Sequence, residues 1–214
     1  MARRGTVSKQ VAKDRDIRPI RWRRYPYLFL IVCEDEKTEP YYFSQFIKLF
    51  PEETVFLRTV GTGRSSKGVV EQSVLERAKL LVEANKDVDE VWAVFDKDDA
   101  EKSAGNTLRF SEAFKLAQDK KIKVAYSNEV FELWILLHFV NVSSENPIPR
   151  AEIYTRIETA IKEHPAHNAF VYGHGNVEIV DILVKRGNEQ NAIECATKLF
   201  EEHKAKGHQP IEAN

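Results

Sequence analysis

The sequence is poor in cysteine and contains no long apolar run, and each absence excludes a class of protein. Two cysteines, Cys33 and Cys195, are too few for a disulfide framework and lack the spacing of a zinc site. We expect both to be buried, reduced thiols of a cytoplasmic protein. The longest apolar stretches, 27–33 and 134–140, are far shorter than the ~20 residues that span a membrane. Because the N-terminus has no apolar core segment, we expect no secretory signal.

Charge is nearly balanced over the 214 residues, with a formal net charge of −1, but it is unevenly distributed. Residues 1–24 contain nine basic and two acidic side chains, which gives +7. The other 190 residues contain 23 basic and 31 acidic side chains, which gives −8. A basic arm ahead of an acidic body predicts a polyanionic partner such as nucleic acid, with a solubilising leader as the alternative. The candidate phosphate contacts in the arm are Arg3, Arg4, Arg21, Arg23 and Arg24.

Strand and helix patterns alternate along most of the chain. Strands are predicted at 27–33, 54–61, 90–96 and 122–127, and the first of them is a continuous apolar run typical of a strand buried on both faces. Helices are predicted at 39–50, 69–85, 107–120, 128–140, 150–163, 175–186 and 188–206. This alternation predicts an α/β fold, a doubly wound sheet of about four parallel strands followed by a helical cap.

Three regions follow from this pattern. Residues 1–25 form the basic arm, which we expect to be flexible, and residues 26–145 contain the predicted sheet with its helices. Residues 146–214 are predicted to form a helical C-terminal subdomain.

Acidic side chains stand where two of the predicted strands end. The first strand is followed by Glu34, and the third ends in Asp96 with Asp98 and Asp99 just beyond. Neighbouring parallel strands lie about 4.8 Å apart and end at one edge of the sheet, so these carboxylates can converge. Oxygen ligands without histidine or cysteine favour Mg²⁺ or Mn²⁺ over zinc. We therefore predict a divalent-cation site here, with a solvated acidic loop as the alternative.

A further acid, Glu132, lies within a segment that is otherwise almost entirely apolar. A buried carboxylate is costly unless it is paired, hydrogen-bonded or bound to a metal. We add Glu132 to the candidate ligands, with a buried salt bridge to an arginine as the alternative. Glu129 lies one helical turn earlier and is predicted to share its face. His138 is interpreted as a core histidine whose hydrogen bonds are satisfied.

Basic residues near the predicted strand ends are candidate phosphate contacts. The segment 61–68, with the sequence GTGRSSKG, reads as a glycine-rich loop that carries Arg64 and Lys67. Lys37 is a third candidate, and backbone N–H groups of the loop glycines are further donors. The loop matches no P-loop pattern. His174, between two glycines, is interpreted as part of a plain turn, with a contact to the substrate as the alternative.

Three motifs give the chain a specific resemblance. They are CEDEKTEPYYF (33–43), DKD (96–98) and NEVFELWILLHF (128–139). They resemble the C-E-G-E-K-T-E-P-x-Y-F, D-x-D and N-P-x-F-E-L-W-x-x-x-H-F patterns of the RloB-like family, which is associated with bacterial restriction loci and phage defence. Asp35 stands where the family has glycine, and NEV replaces N-P-x. Neither change removes an acid.

The RloB-like family is in turn similar to Toprim domains, the metal-binding fold of topoisomerases, primases and overcoming-lysogenization-defect-type nucleases. This resemblance implies that Glu34 is the Toprim glutamate, that Asp96 and Asp98 are the metal-binding pair, and that Glu132 is a further acid near the metal. Residues 26–145 would then be a Toprim-like catalytic domain. The implied activity is that of a Mg²⁺- or Mn²⁺-dependent nuclease in anti-phage defence. RNA, including transfer RNA, is favoured slightly over DNA by analogy.

Relatives of this kind often work beside an ABC-type ATPase, so the resemblance also implies such a partner. The oligomeric state is open, a homodimer being one option. Two other functions remain possible from the residues. The chain could be a non-catalytic module that binds nucleic acid or docks a partner, or a phosphohydrolase that acts on nucleotides.

Overall fold

A computed structural model describes residues 25–97 and 104–208, without the side chains of 104–108. Several predicted site residues therefore lie outside the described residues. They are Arg3, Arg4, Arg21, Arg23, Arg24, Asp98 and Asp99. The prediction that the basic arm is flexible concerns the same undescribed part of the chain.

The described chain is an α/β structure built on one parallel sheet of four strands, in the spatial order β2-β1-β3-β4. Every neighbouring pair of strands runs parallel. The strands are β1 (Tyr27–Cys33), β2 (Val55–Gly61), β3 (Glu90–Asp96) and β4 (Lys123–Ser127). The predicted fold class is confirmed, and the strand order is consistent with a doubly wound Rossmann/Toprim-like arrangement.

Seven α-helices lie within the described residues. They are α1 (Thr38–Gln45), α2 (Ser66–Ala84), α3 (Ala104–Lys120), α4 (Glu132–Leu137), α5 (Arg150–Lys162), α6 (Glu178–Arg186) and α7 (Glu189–Ala205). A 3-10 turn, Phe46–Leu49, continues α1, and another, Pro165–His167, follows α5. The glycine-rich loop is shorter than predicted, since α2 already begins at Ser66 and includes Lys67.

Helix α4 is also shorter than the predicted helix at 128–140. The carbonyl groups at its C-terminal end accept hydrogen bonds from residues at the start of α7, and the helix ends there. The Leu137 carbonyl accepts from the Asn191 side chain at 2.9 Å, and the His138 carbonyl accepts from the Asn188 N–H at 3.0 Å. These contacts are distant in sequence, so local periodicity does not reveal them.

Two apolar clusters hold the elements together. The first packs α2 and α3 against one face of the sheet through residues such as Leu30 and Phe95. The second joins α1 and α4 to the C-terminal helices, with Tyr42, Ile135 and Ile179 among its members. Because α1 also packs on β1 and β2, it links this second cluster to the sheet. The C-terminal helices thus share a core with residues that precede 145.

The two cysteines differ in their burial. Cys33 is fully buried, as predicted. The prediction for Cys195 was wrong: it is partly exposed on α7, and its thiol donates to the Asn141 side-chain oxygen at 2.9 Å. Among the helices described, none combines the length and apolar content needed to cross a membrane.

Candidate functional site

The carboxyl ends of β1 and β3 meet at the point where the strand order reverses. From β1 the chain moves to β2 on one side, and it later returns to β3 on the other side. Glu34 follows β1, and its N–H donates to the Val94 carbonyl at 2.9 Å. The Asp96 N–H donates to Glu34 Oε2 at 3.1 Å. The structure thus joins two of the predicted acids at a switch point, where doubly wound folds bind their ligands.

Asp96 is the acid with an unmet hydrogen-bonding demand. Its Oδ1 is buried and has no hydrogen-bond partner among the described residues. Burial, and then the negative charges of Glu39, Glu132 and Glu34, raise the pKa of Asp96 well above its usual range, while a backbone hydrogen bond from Phe131 opposes the rise. A buried, unpaired carboxylate oxygen is costly, so this position requires a cation or a proton.

Glu39, on α1, belongs to the same group of acids and was missed in the sequence. It is 1% exposed, and its Oε2 accepts from the Asp35 N–H at 3.1 Å. Burial raises its pKa to about 8, the Asp35 N–H opposes that rise, and the charges of Asp35, Glu34 and Glu132 add to it. The signal in the sequence was its spacing, since Glu39 lies one turn before the core residue Tyr42.

Glu132 begins α4 and is buried, with 4% of its surface exposed. The Tyr172 hydroxyl donates to Glu132 Oε1 at 2.7 Å, and His174 Nδ1 lies 3.5 Å from the same oxygen. Within the described residues the basic side chain beside Glu132 is this histidine, not the arginine that the alternative required. Tyr172 was not singled out in the sequence, because nothing local distinguishes a loop tyrosine that reaches a distant carboxylate.

The loop that carries Glu34 is shaped by two further features. Asp35 Oδ2 accepts from the backbone N–H groups of Lys37 and Thr38 at the start of α1, which gives this acid a capping role. A Cβ at Gly61 would lie 2.5 Å from Glu36 Cα, so only glycine allows the end of β2 to approach this loop so closely.

An open cleft of about 510 Å³ lies over these acids. Its side chains combine carboxylates with basic and aromatic groups from both halves of the chain. The lining residues are Glu34, Asp35, Glu36, Lys37, Gly63, Arg64, Ser65, Asp96, Val130, Glu132, Arg150, Tyr154, His174 and Gly175.

A comparison with known protein families identifies the family of the chain. The family model described as RloB-like protein matches residues 29–213. The chain belongs to the RloB-like family. The resemblance inferred from the three motifs is thereby confirmed. No curated protein matches the chain, and no solved structure matches it either.

The predicted phosphate contacts of this RloB-like chain are divided between the cleft and the outer surface. Lys37 and Arg64 line the cleft, as does Arg150, which was missed. Lys67 points elsewhere and forms an ion pair with Glu112 on α3 at 2.7 Å. The Gly63 N–H donates to the Glu34 carbonyl at 2.8 Å, so this N–H group stabilises the loop that carries Glu34.

Three other side chains named in the sequence have clear positions. His138 is buried, and its Nδ1 donates to the Trp134 carbonyl at 2.9 Å, which confirms its interpretation as a satisfied core histidine. The prediction that Glu129 shares a helix face with Glu132 was wrong, because α4 begins only at Glu132. The Glu129 carboxylate accepts from the Arg150 N–H at the start of α5. The turn containing His174 places this residue in the cleft.

The chemistry of the cleft fits a hard divalent cation. Its acids supply only oxygen donors, the preference of Mg²⁺ and Mn²⁺, and the unpaired Asp96 Oδ1 is among them. In the described ranges no three side chains of histidine, cysteine, aspartate or glutamate already form a ready set of ligands. Asp98, the other half of the predicted pair, lies outside those ranges.

Proposed function

We propose that this RloB-like protein is a Mg²⁺- or Mn²⁺-dependent nuclease that hydrolyses phosphodiester bonds as part of an anti-phage defence system in the cytoplasm. One observation carries the proposal: among the described residues the buried Asp96 Oδ1 has no hydrogen-bond partner, and it lies among Glu34, Glu39 and Glu132 at the switch point of the sheet. Groups with strongly perturbed pKa values in a cleft are characteristic of functional sites.

The residues that would hold the cation are Asp96 and Glu132, with Asp98 as the further ligand that the family pattern supplies and Glu34 beside them as the general base. A bound divalent cation polarises the scissile phosphate and makes water a stronger nucleophile at neutral pH. Glu34 is the residue to accept a proton from the attacking water, because the Asp96 N–H fixes its Oε2 at the cleft. Glu132 is fixed by the Tyr172 hydroxyl.

The basic side chains around the acids would bind the substrate backbone. Lys37, Arg64 and Arg150 line the same cleft as Asp96 and provide the positive charge that a phosphodiester requires. His174 lines the cleft as well and is 67% exposed at its side chain, so it can donate a hydrogen bond to the substrate. The cleft therefore combines acids that would bind the cation with basic side chains that would bind the phosphates of a polyanion.

The substrate and partners follow from family analogy. RNA, with transfer RNA included, is favoured slightly over DNA, and an ABC-type ATPase is the proposed partner that controls the nuclease. The basic arm of residues 1–24, with its formal charge of +7, would raise the local concentration of nucleic acid in a salt-dependent manner.

The direct test incubates the purified protein with a transfer-RNA pool, single-stranded DNA and double-stranded DNA. Each reaction contains Mg²⁺, Mn²⁺ or EDTA, and is run with and without the ATPase. Asp96→Asn removes one charge from the cleft, and Asp119→Asn makes the same change at an exposed position on α3. We expect cleavage that EDTA and Asp96→Asn abolish and that Asp119→Asn preserves.

Two results would contradict the nuclease proposal. The first is equal cleavage by the wild type and Asp96→Asn. The second is no cleavage under any condition while both proteins bind nucleic acid equally well. That second result would favour the non-catalytic binding module, and release of phosphate from free nucleotides alone would favour the phosphohydrolase.

A further inference from the structure

The loop between the 3-10 turn Pro165–His167 and α6 contributes to the cleft although it lies far from the sheet in sequence. It carries Tyr172 and His174, both of which reach the carboxylate of Glu132. Tyr172 is 8% exposed, an unusual degree of burial for a loop side chain. The family motifs described above end before this loop begins.

Tyr172 is fixed from more than one direction. Its backbone N–H donates to Glu158 Oε2 on α5 at 3.1 Å. Its ring packs edge-on against Tyr154, with the ring centroids 5.1 Å apart, and the centroid of the Phe170 ring lies 6.5 Å away. The position of the hydroxyl is therefore set by the fold, independently of any ligand.

That hydroxyl determines how the carboxylate of Glu132 is presented. A phenol donates one hydrogen bond, and this bond goes to Oε1 at 2.7 Å. His174 Nδ1 approaches the same oxygen. In the part of the chain that the structure describes, both contacts fall on Oε1, so Oε2 is the oxygen left for a cation. Partners that orient a metal-binding carboxylate in this way tune the affinity of the site.

We propose that Tyr172 is a positioning residue that holds the Glu132 carboxylate in the orientation needed to bind the divalent cation. This inference rests on the proposed function, because it presupposes that Glu132 is a cation ligand. It also makes the C-terminal helical region part of the catalytic unit, since α5 and the loop after it supply and anchor the tyrosine.

The test compares two tyrosine-to-phenylalanine changes that each remove one hydroxyl bonded to a carboxylate. Tyr172→Phe removes the bond to Glu132, and Tyr41→Phe removes the bond to Asp181 outside the cleft, where the distance is 2.9 Å. Mn²⁺ affinity is measured by titration calorimetry on the full chain without nucleic acid. We expect Tyr172→Phe to weaken Mn²⁺ binding by roughly tenfold to a hundredfold and Tyr41→Phe to leave it unchanged.

Two further measurements separate positioning from a merely structural role. Raising the Mn²⁺ concentration should restore the cleavage rate of Tyr172→Phe to near the wild-type value, because the ring and its packing remain. Glu132→Gln, which keeps a partner for the tyrosine, should lose at least as much Mn²⁺ affinity as Tyr172→Phe, since the tyrosine acts through this carboxylate. Melting curves check that all variants remain folded at the temperature of the binding assay.

The outcomes separate the positioning role of Tyr172 from the nuclease function and from the cation site. Wild-type Mn²⁺ affinity in Tyr172→Phe or in Glu132→Gln would overturn the positioning role and leave the nuclease proposal standing. An equal loss in Tyr41→Phe would overturn it as well. Absence of Mn²⁺ binding by the wild-type protein would overturn the cation site itself, and the role of Tyr172 with it.

Discussion

Glu39→Gln should stabilise the metal-free protein at alkaline pH, because it removes a charge that the fold crowds among other acids. The Glu39 side chain is 1% exposed, and burial raises its pKa from 4.5 to about 8. The folded state therefore holds a proton that the unfolded state releases. Stability conferred by that proton is complete below about pH 4.5 and is lost as the pH rises to about 8.

The size of the effect follows from the shift. Each unit corresponds to about 1.4 kcal/mol, so ionising Glu39 in the fold costs up to about 5 kcal/mol. Glutamine keeps an oxygen that can accept from the Asp35 N–H but carries no charge. We expect the variant to match the wild type near pH 4.5 and to exceed it in free energy of unfolding by several kcal/mol above pH 8.

Urea unfolding in EDTA at a series of pH values measures this difference. Subtracting the wild-type curve from the variant curve removes the contribution of groups that titrate equally in both proteins. Glu163→Gln, at an exposed position after α5, is the matched control and should give a flat difference. A flat difference for Glu39→Gln, or one that shrinks as the pH rises, would refute the placement of Glu39 within a crowded acidic cluster.

Two other changes test the loop and the basic side of the cleft. Gly61→Ala should destabilise the protein by about 1–3 kcal/mol in urea unfolding, because its Cβ would lie 2.5 Å from Glu36 Cα. Gly173→Ala has open space around its Cβ and should change stability far less. Arg64→Ala should weaken nucleic-acid binding and lower the salt slope by about one in fluorescence anisotropy, whereas Lys67→Ala, outside the cleft, should not.

The sheet could be predicted because each strand has a recognisable local sequence pattern. Residues 27–33 and 91–95 are continuous apolar runs, a pattern typical of strands in parallel sheets. Since parallel strands end at one edge, the acids that follow them could be grouped before the structure was known. Glu34 and Asp96 do share that edge, joined by a hydrogen bond of 3.1 Å.

The rest of the site could not be predicted because it depends on contacts between distant segments. Tyr172 reaches Glu132 across 40 residues, and no periodicity in either segment encodes that contact. The division of the chain at residue 145 separated the two, although one apolar cluster joins the helices on both sides. Glu39 was hidden for another reason, since a glutamate in the first turn of a helix reads as an ordinary charge near a helix terminus.

The central claim is that Asp96 and the acids around it hold a divalent cation. Anomalous diffraction from crystals soaked in Mn²⁺ tests it most directly, because the signal locates the ion without reference to activity. We expect a peak in the cleft within bonding distance of Asp96 Oδ1, and no such peak in crystals of Asp96→Asn. A wild-type cleft without a peak, or an ion bound away from Asp96 and Glu132, would contradict it.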